Sequence, residues 1–347
     1  EVTAAWVSAA PMSDDMRAEF NSLVRTVNHS AVTFSRLVIL DFWQAVHAPS
    51  FGCTGMLMAQ SDGTVIHGRN VDYEVDLMLK AALETHADPT SGGDMFDGTF
   101  VRGGKPIASF LGFPGGLGTH TGIRYGGYTF NSNARVKGNN QTENLLNMQL
   151  RGSLNFPWVA RRVLTEIPTW EGAVEEFKNT NFNAPNYFIF GGVEPYQGAV
   201  VTKDSGSTKP LPGTPDVQYL SKETGAWHLV QTNDDLLEPP DDNRRGTALN
   251  ILSTKQQSQV DENFVLNQMT TAPVFNSDTL LTWIGNAKKG TYSIYQKNGE
   301  AVRRDAENKI LHRMLHLRMP QDLPGKEPPS SPLTVEEAQE LLSNFAN

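Results

Sequence analysis

The chain has a single cysteine, Cys53, in 347 residues. One thiol excludes an internal disulfide and any zinc site built from several thiolates, so cysteine usage does not point to a redox compartment. Basic residues are also scarce: 29 Lys and Arg face 38 Asp and Glu, for a formal net charge of -9 and a pI near 5.4. That balance disfavours nucleic acid as a partner, because phosphate neutralisation needs a basic face. No apolar run reaches the roughly 18 residues of a membrane-spanning helix. No apolar leader follows Glu1, so a targeting segment is expected to have been removed or to lie outside the sequence. His67 and His120 stand apart from any cluster with metal-ligand spacing and read as structural, so neither metal nor cofactor is expected. What is present, 39% hydrophobic and 19% charged residues, describes a globular protein with a sizeable core, longer than one typical domain.

The pattern changes twice along the chain. Met16, Phe20, Leu23, Val24 and Val27 fall at helical spacing within residues 13–31, with Ser13 as N-cap and Asp14 and Asp15 in the first turn. A nearly continuous apolar stretch from Val32 to Trp43 reads as a second, buried helix. From Cys53 to about Glu300, short β-branched and aromatic runs alternate with Gly-rich turns. The clearest are Tyr187–Phe190, Ala199–Thr202, Trp227–Val230, Leu280–Ile284 and Thr291–Tyr295. Helices are expected over Pro157–Glu166, with Pro at the first position, and over Trp170–Lys178 behind a Thr169 cap. Helices between strand groups imply layered α and β structure. Past Met319 five prolines mark an extended linker, and Thr334 to Glu337 forms a capping box for a last helix, Val335–Phe345. The organisation is thus a helical segment over 1–52, a sheet-based domain over 53–300 and an extension over 301–347.

Cys53 opens the densest stretch of chemistry. Taken alone, a free cysteine usually behaves as a small buried hydrophobe. Here, however, the polar turn Gln60-Ser61-Asp62-Gly63 separates the apolar runs Met56–Ala59 and Thr64–Ile66, a hairpin pattern. Its second strand delivers Arg69 and Asp72, two charges able to face the start of the first strand. An ordinary solvated Arg and Asp pair, worth at most about 1 kcal/mol, is the alternative reading. Asn233 follows a strand in Val230-Gln231-Thr232-Asn233-Asp234, where turn chemistry competes with an amide aimed at a reacting carbonyl.

Three blocks carry a resemblance: Cys53-Thr54 with His67-Gly68-Arg69-Asn70-Val71-Asp72, Tyr187–Gly192 with Gly198–Thr202, and Val230–Asp234 with Asp242-Asn243-Arg244-Arg245. From Leu37 to about Lys297 the chain resembles the acid ceramidases and N-acylethanolamine-hydrolysing acid amidases and, more distantly, choloylglycine hydrolases and penicillin V acylases. The resemblance implies an α+β fold, a four-layer αββα N-terminal-nucleophile hydrolase sandwich with an N-terminal helical segment and a C-terminal tail helix. It also implies self-cleavage between Gly52 and Cys53, which would make residue 53 both thiol nucleophile and, through its new α-amine, base. A thiol of pKa about 8.5 needs such a base, and an α-amine near 8 can serve once a neighbouring cation or burial lowers it.

The same resemblance assigns roles at the matching positions. Asp72 directs the Cys53 amine, Arg69 supplies positive charge, Asn233 donates to the oxyanion, and Arg244 orders the site from behind, with a solvated surface charge as the alternative for Arg244. The departure lies at Asn133-Ala134-Arg135, where Ala134 stands in place of an expected carboxylate. Asn133 is similar to an Asn near the choloylglycine hydrolase site and is taken as substrate-binding. So are Phe110 and Phe113, in an apolar loop, Phe110 to Gly116, which with Met78-Leu79 offers surface to an acyl chain, each buried methylene contributing about 0.8 kcal/mol. Core packing or a membrane-docking lip would use the same residues.

The expected function is a cysteine amidase acting through a thioester on a lipid amide, an N-acylethanolamine or a ceramide. Its alternatives are a same-fold hydrolase of bile-acid-like or penicillin-like amides and a non-catalytic structural or binding subunit, the latter suggested by Ala134. Expected partners are the amide substrate, a transient membrane-surface contact, the cleaved N-terminal segment retained in place and a larger assembly through the tail. Sequons at Asn28-His29-Ser30 and Asn140-Gln141-Thr142 permit glycosylation. Family habit points to a lysosome-like or secretory lumen.

Overall fold

Ser13 accepts a hydrogen bond from the Met16 N–H at 3.3 Å and so starts α1 (Asp14–Val27), which Asn28 ends in the left-handed region at φ 48°. The computed structural model describes residues 12–30, 32–46, 51–73, 95–113, 115–207, 215–236, 242–296, 301–305 and 310–314. Met78-Leu79, the Pro-rich stretch after Met319 and the helix expected over Val335–Phe345 lie outside them. The second helix, α2 (Phe34–Val46), begins two residues later and ends three later than the apolar run suggested. Met16 and Phe20 of α1 and Leu37 and Val38 of α2 share a buried cluster with Met148 and Trp158, which seats the N-terminal segment on the rest of the chain.

Two seven-stranded sheets follow, antiparallel throughout. The first runs in the order β10 (His228–Gln231), β1 (Phe51–Ala59), β2 (Val65–Tyr73), β11 (Thr279–Asn286), β12 (Thr291–Gln296), β13 (Ala301–Arg304) and β14 (Ile310–Met314). The second is in chain order: β3 (Phe96–Arg102), β4 (Lys105–Gly112), β5 (Thr121–Arg124), β6 (Tyr128–Ala134), β7 (Asn186–Gly192), β8 (Gly198–Lys203) and β9 (Val217–Tyr219). The first sheet continues past residue 300 through β13 and β14, beyond the boundary read from composition.

Side-chain alternation sorts the layers. Met56 and Met58 of β1 pack outward against α6 (Arg244–Leu252) and α7 (Glu262–Met269), whereas Leu57 and Ala59 face inward onto Tyr187 and Ile189 of the second sheet. Across that sheet, Tyr128, Phe130, Phe188 and Phe190 face α4 (Phe156–Glu166) and α5 (Trp170–Asn179). Burying each such phenylalanine contributes about 1.5–3 kcal/mol. The result is the four-layer αββα sandwich of the N-terminal-nucleophile hydrolases. Gly55 permits the close approach of the sheets at β1, since a Cβ there would stand 2.3 Å from Ile189 Cδ1. No helix among the described residues is long and apolar enough to cross a membrane.

Candidate active site

Cys53 is the third residue of β1, cross-strand from Val71, in phase with Gly55 and Leu57 and so turned between the sheets, where it is 4% exposed. β1 passes straight through the Gly52–Cys53 peptide bond. Arg69 of β2 points into the same layer. Its Nη2 lies 3.6 Å from Cys53 Sγ, and its Nη1 donates to the Ser132 carbonyl at 2.5 Å and the His120 carbonyl at 3.4 Å. Among the described residues its Nε meets no acceptor, and no carboxylate forms an ion pair with it.

Asp72 lies three positions after Arg69, an odd spacing that turns it to the opposite face of β2. Asp72 sits across from Gly52, and its carboxylate accepts from Thr279 Oγ1 at 2.6 Å and Arg244 Nη1 at 3.0 Å. The two charges therefore flank the Cys53 strand position from both sides of the sheet rather than sharing one face.

Arg244 opens α6 and ties these elements together. Its Nη1 also donates to the Cys53 carbonyl at 3.0 Å and to Thr54 Oγ1 at 3.4 Å, its Nη2 to Asn233 Oδ1 at 2.8 Å and its Nε to Asp242 Oδ2 at 2.8 Å. Asn233, just past β10, accepts the Cys53 N–H on Oδ1 at 2.9 Å and donates from Nδ2 to the Ala134 carbonyl at 2.8 Å. Cys53, Arg69, Asp72, Asn233 and Arg244 thus converge on the Gly52–Cys53 bond from β1, β2, the end of β10 and the start of α6.

The other expected contacts separate. Asn133 donates to the Gln231 and Thr232 carbonyls at 2.8 and 3.3 Å and accepts from Asn131 Nδ2 at 2.7 Å, so it braces the strand end leading to Asn233. Phe113 packs with the inward cluster of Val71, Leu111 and Ile123, edge-on to His120 at 5.8 Å. Phe110 lies within β4 rather than in a loop, in phase with Ala108 on the helical side, stacked on Phe100 at 4.4 Å. This is a correction to the sequence reading: the run Phe110-Leu111-Gly112 ends a strand, and alternation turns Phe110 away from Cys53. Ala134 is in phase with Phe130 and Ser132, and none of the contacts that join the five residues runs through its side chain. Thr279 carried no sequence signal, being 207 positions from Asp72.

Electrostatics follow from burial. Desolvation pushes the Cys53 thiol up, Arg69 and Arg244 oppose this, and Asp72 adds to it. Burial raises Asp72 against Thr279, Arg244 and Arg69, and it lowers Arg69. Burial likewise holds His67 and His120 neutral, at about 3. A buried guanidinium with no carboxylate contact among the described residues, beside a thiol, is suited to stabilising negative charge that develops there.

No family model matches the chain. Among curated proteins, rat N-acylethanolamine-hydrolyzing acid amidase is 30% identical over 245 residues, covering 70% of this chain and 62% of its own length. Human acid ceramidase is 28% identical over 252 residues, covering 71% and 62%. The chain thus spans 62% of the length of these relatives. A solved structure of the Caenorhabditis elegans N-acylethanolamine-hydrolyzing acid amidase ortholog superposes with a TM-score of 0.58 at 28% identity, over 68% of this chain and 93% of that one.

Proposed function

Because the chain belongs to the family of the acid ceramidases and N-acylethanolamine-hydrolysing acid amidases, we propose that it is a lipid-amide hydrolase that matures by cutting itself before Cys53. The observation that carries this reading is the convergence of Arg69, Asn233, Arg244 and Asp72 on one peptide bond that joins a glycine to the only thiol.

In the uncut chain the Cys53 nitrogen is an amide engaged by Asn233, and burial keeps the thiol protonated. Cleavage proceeds by attack of Sγ on the Gly52 carbonyl. The C–N bond breaks, the thiol proton passes to the departing Cys53 nitrogen, and Gly52 is left as a thioester on Sγ. Water then releases the Gly52 carboxylate and restores the thiol. The new α-amine, with an ordinary pKa near 8, becomes the base that the thiol lacked. Asn233 Oδ1 already stands where it can orient that amine, and Arg244 links the Cys53 carbonyl to Asp72. Turnover repeats the chemistry on a substrate. Asn233, whose Nδ2 is taken by the Ala134 carbonyl, orients the α-amine through Oδ1 instead of donating to the oxyanion as the sequence reading expected. Sγ adds to the amide carbonyl, the Arg69 guanidinium stabilises the oxyanion, the amine group leaves with the proton, and water hydrolyses the acyl thioester. One such donor is worth about 3 kcal/mol.

The substrate class rests on the family, and Phe113 supplies apolar surface on the Cys53 side. Asn28 and Asn140 are exposed, which suits glycosylation in a lumenal compartment. The cluster joining α1 and α2 to Met148 and Trp158 suits retention of the N-terminal segment after cleavage.

The test incubates wild type and Cys53→Ala with a fatty-acyl ethanolamide, a ceramide, a taurine-conjugated bile acid and penicillin V, reading acid release. Hydrolysis of a lipid amide by wild type alone is expected. Hydrolysis by Cys53→Ala would overturn the mechanism, and turnover of the polar amides alone would overturn the substrate class.

A further inference from the structure

Five consecutive carbonyls, residues 231–235, are each held by a hydrogen bond. Asn133 Nδ2 takes Gln231 O and Thr232 O, at 2.8 and 3.3 Å. The Val136 N–H takes Asn233 O at 3.1 Å. Gln231 Nε2 takes Asp234 O at 2.9 Å, and Arg245 takes Asp234 O at 2.6 Å and Asp235 O at 2.7 Å. A turn off the end of a strand is ordinarily the freest part of a sheet domain. This one is fully constrained.

Its far end is locked by charge. Arg135, 0% exposed, forms a two-pronged pair with Asp235, Nε to Oδ1 at 2.7 Å and Nη2 to Oδ2 at 2.8 Å, while its Nη1 reaches Asp204. The Tyr187 hydroxyl donates to the same Asp235 Oδ1. Such forked pairs fix orientation as well as distance. Asn233 sits two residues before Asp235, and its amide must keep Oδ1 on Cys53 N and Nδ2 turned the other way.

We propose that Arg135, Asp235 and Arg245 are positioning residues that set the Asn233 amide against the nitrogen of residue 53, acting through the 231–235 turn without touching substrate. This rests on the role of Asn233 proposed above. It also gives Arg135 a task that needs no carboxylate at position 134, where the resemblance led one to be expected and Ala134 stands.

The test pairs two readouts. In active protein, Arg135→Lys and Asp235→Asn are each expected to lower kcat by about ten- to a hundredfold while KM stays within about twofold, as for a misplacement of about 1 Å. The double variant should be no worse than the poorer single, since both break one coupled unit. Tyr187→Phe, which removes a single hydrogen bond and spares the ion pair, should give a smaller loss in kcat and serves if the charge variants fail to fold. In the uncut Cys53→Ala background, Arg135→Lys should speed hydrogen exchange of the residue 53 amide at least about tenfold, because its bond to Asn233 is released. Variants that melt earlier yet keep wild-type kcat and exchange would overturn the inference. If exchange responds as expected while wild type shows no Cys53-dependent hydrolysis, the positioning role stands and the proposed activity falls.

Discussion

Replacing Arg244 by Met removes the side chain that touches Cys53, Thr54, Asp72, Asn233 and Asp242 together. The pair with Asp72 is buried, with side chains 9% and 2% exposed. Deleting one partner leaves the Asp72 carboxylate with Thr279 as its remaining side-chain donor among the described residues. Orphaning a buried charge in this way costs about 3–5 kcal/mol, against about 1 kcal/mol or less for an exposed pair. The assay is urea unfolding of the uncut Cys53→Ala chain with and without Arg244→Met. Adding Asp72→Asn to Arg244→Met should recover part of the loss, because no charge is then stranded. The cost should also depend on pH. Burial already raises the Asp72 pKa above its ordinary 3.8, and loss of Arg244 removes one of the influences that lower it. A carboxyl with a raised folded pKa contributes stability at low pH that is lost as pH rises through that value. The penalty of Arg244→Met should therefore be greatest at neutral pH and shrink in acid. A cost below about 1 kcal/mol at neutral pH, or one that grows in acid, would refute the reasoning.

Gly55→Ala places a methyl 2.3 Å from Ile189 Cδ1 and 3.0 Å from Asn131 Oδ1, so it should destabilise the sandwich by about 1–3 kcal/mol in the same unfolding assay; a neutral result would mean the sheets are not close-packed there. Asp41 of α2, bonded to Trp158 Nε1 and the Gly118 amide, is raised by burial from 3.8 to about 6. Wild type should gain stability relative to Asp41→Asn as pH falls through about 6, by up to about 3 kcal/mol once below both values, and melts that show the opposite trend would remove Asp41 from this role. With one thiol in the chain, alkylation reports on Cys53 alone: in uncut protein it should be slow until urea unfolds the chain, and equal rates in native and unfolded protein would contradict the buried, protonated thiol.

The hairpin that carries Cys53 was legible because a polar turn with Gly63 at φ +85° separates two short apolar runs, Met56–Ala59 and Thr64–Ile66. Ser13 and Thr169 were legible as caps because capping is local: each side chain reaches an amide three residues on. Strands β3 and β5 stand out little in the sequence because Gly98 and Gly122 interrupt them, and β6 because its second half, Asn131-Ser132-Asn133, is polar though buried. Helices α6 and α7 escaped notice for a related reason, having many polar residues and apolar positions too few to show a period. Phe110 was misplaced because apolar, Gly-flanked residues read alike in a loop and at the end of a strand. Arg135 with Asp235 and Asp72 with Thr279 are separated by 100 and 207 residues; the first pairing depends on how the two sheets stack and the second on β11 lying beside β2 in one sheet, which no local pattern encodes. The resemblance brought the five site residues forward, and the structure adds the strand faces of Cys53, Arg69 and Asp72 and the placement of Asn233 past β10 and of Arg244 at the start of α6.

The most direct test of the account is intact mass and N-terminal sequencing of purified wild type and Cys53→Ala after incubation across acidic and neutral pH. A fragment beginning at Cys53 in wild type, and only uncut chain in the variant, is the expected result. Uncut wild type at every pH, or a cut before residue 53 in the Cys53→Ala chain, would contradict self-cleavage by the Cys53 thiol.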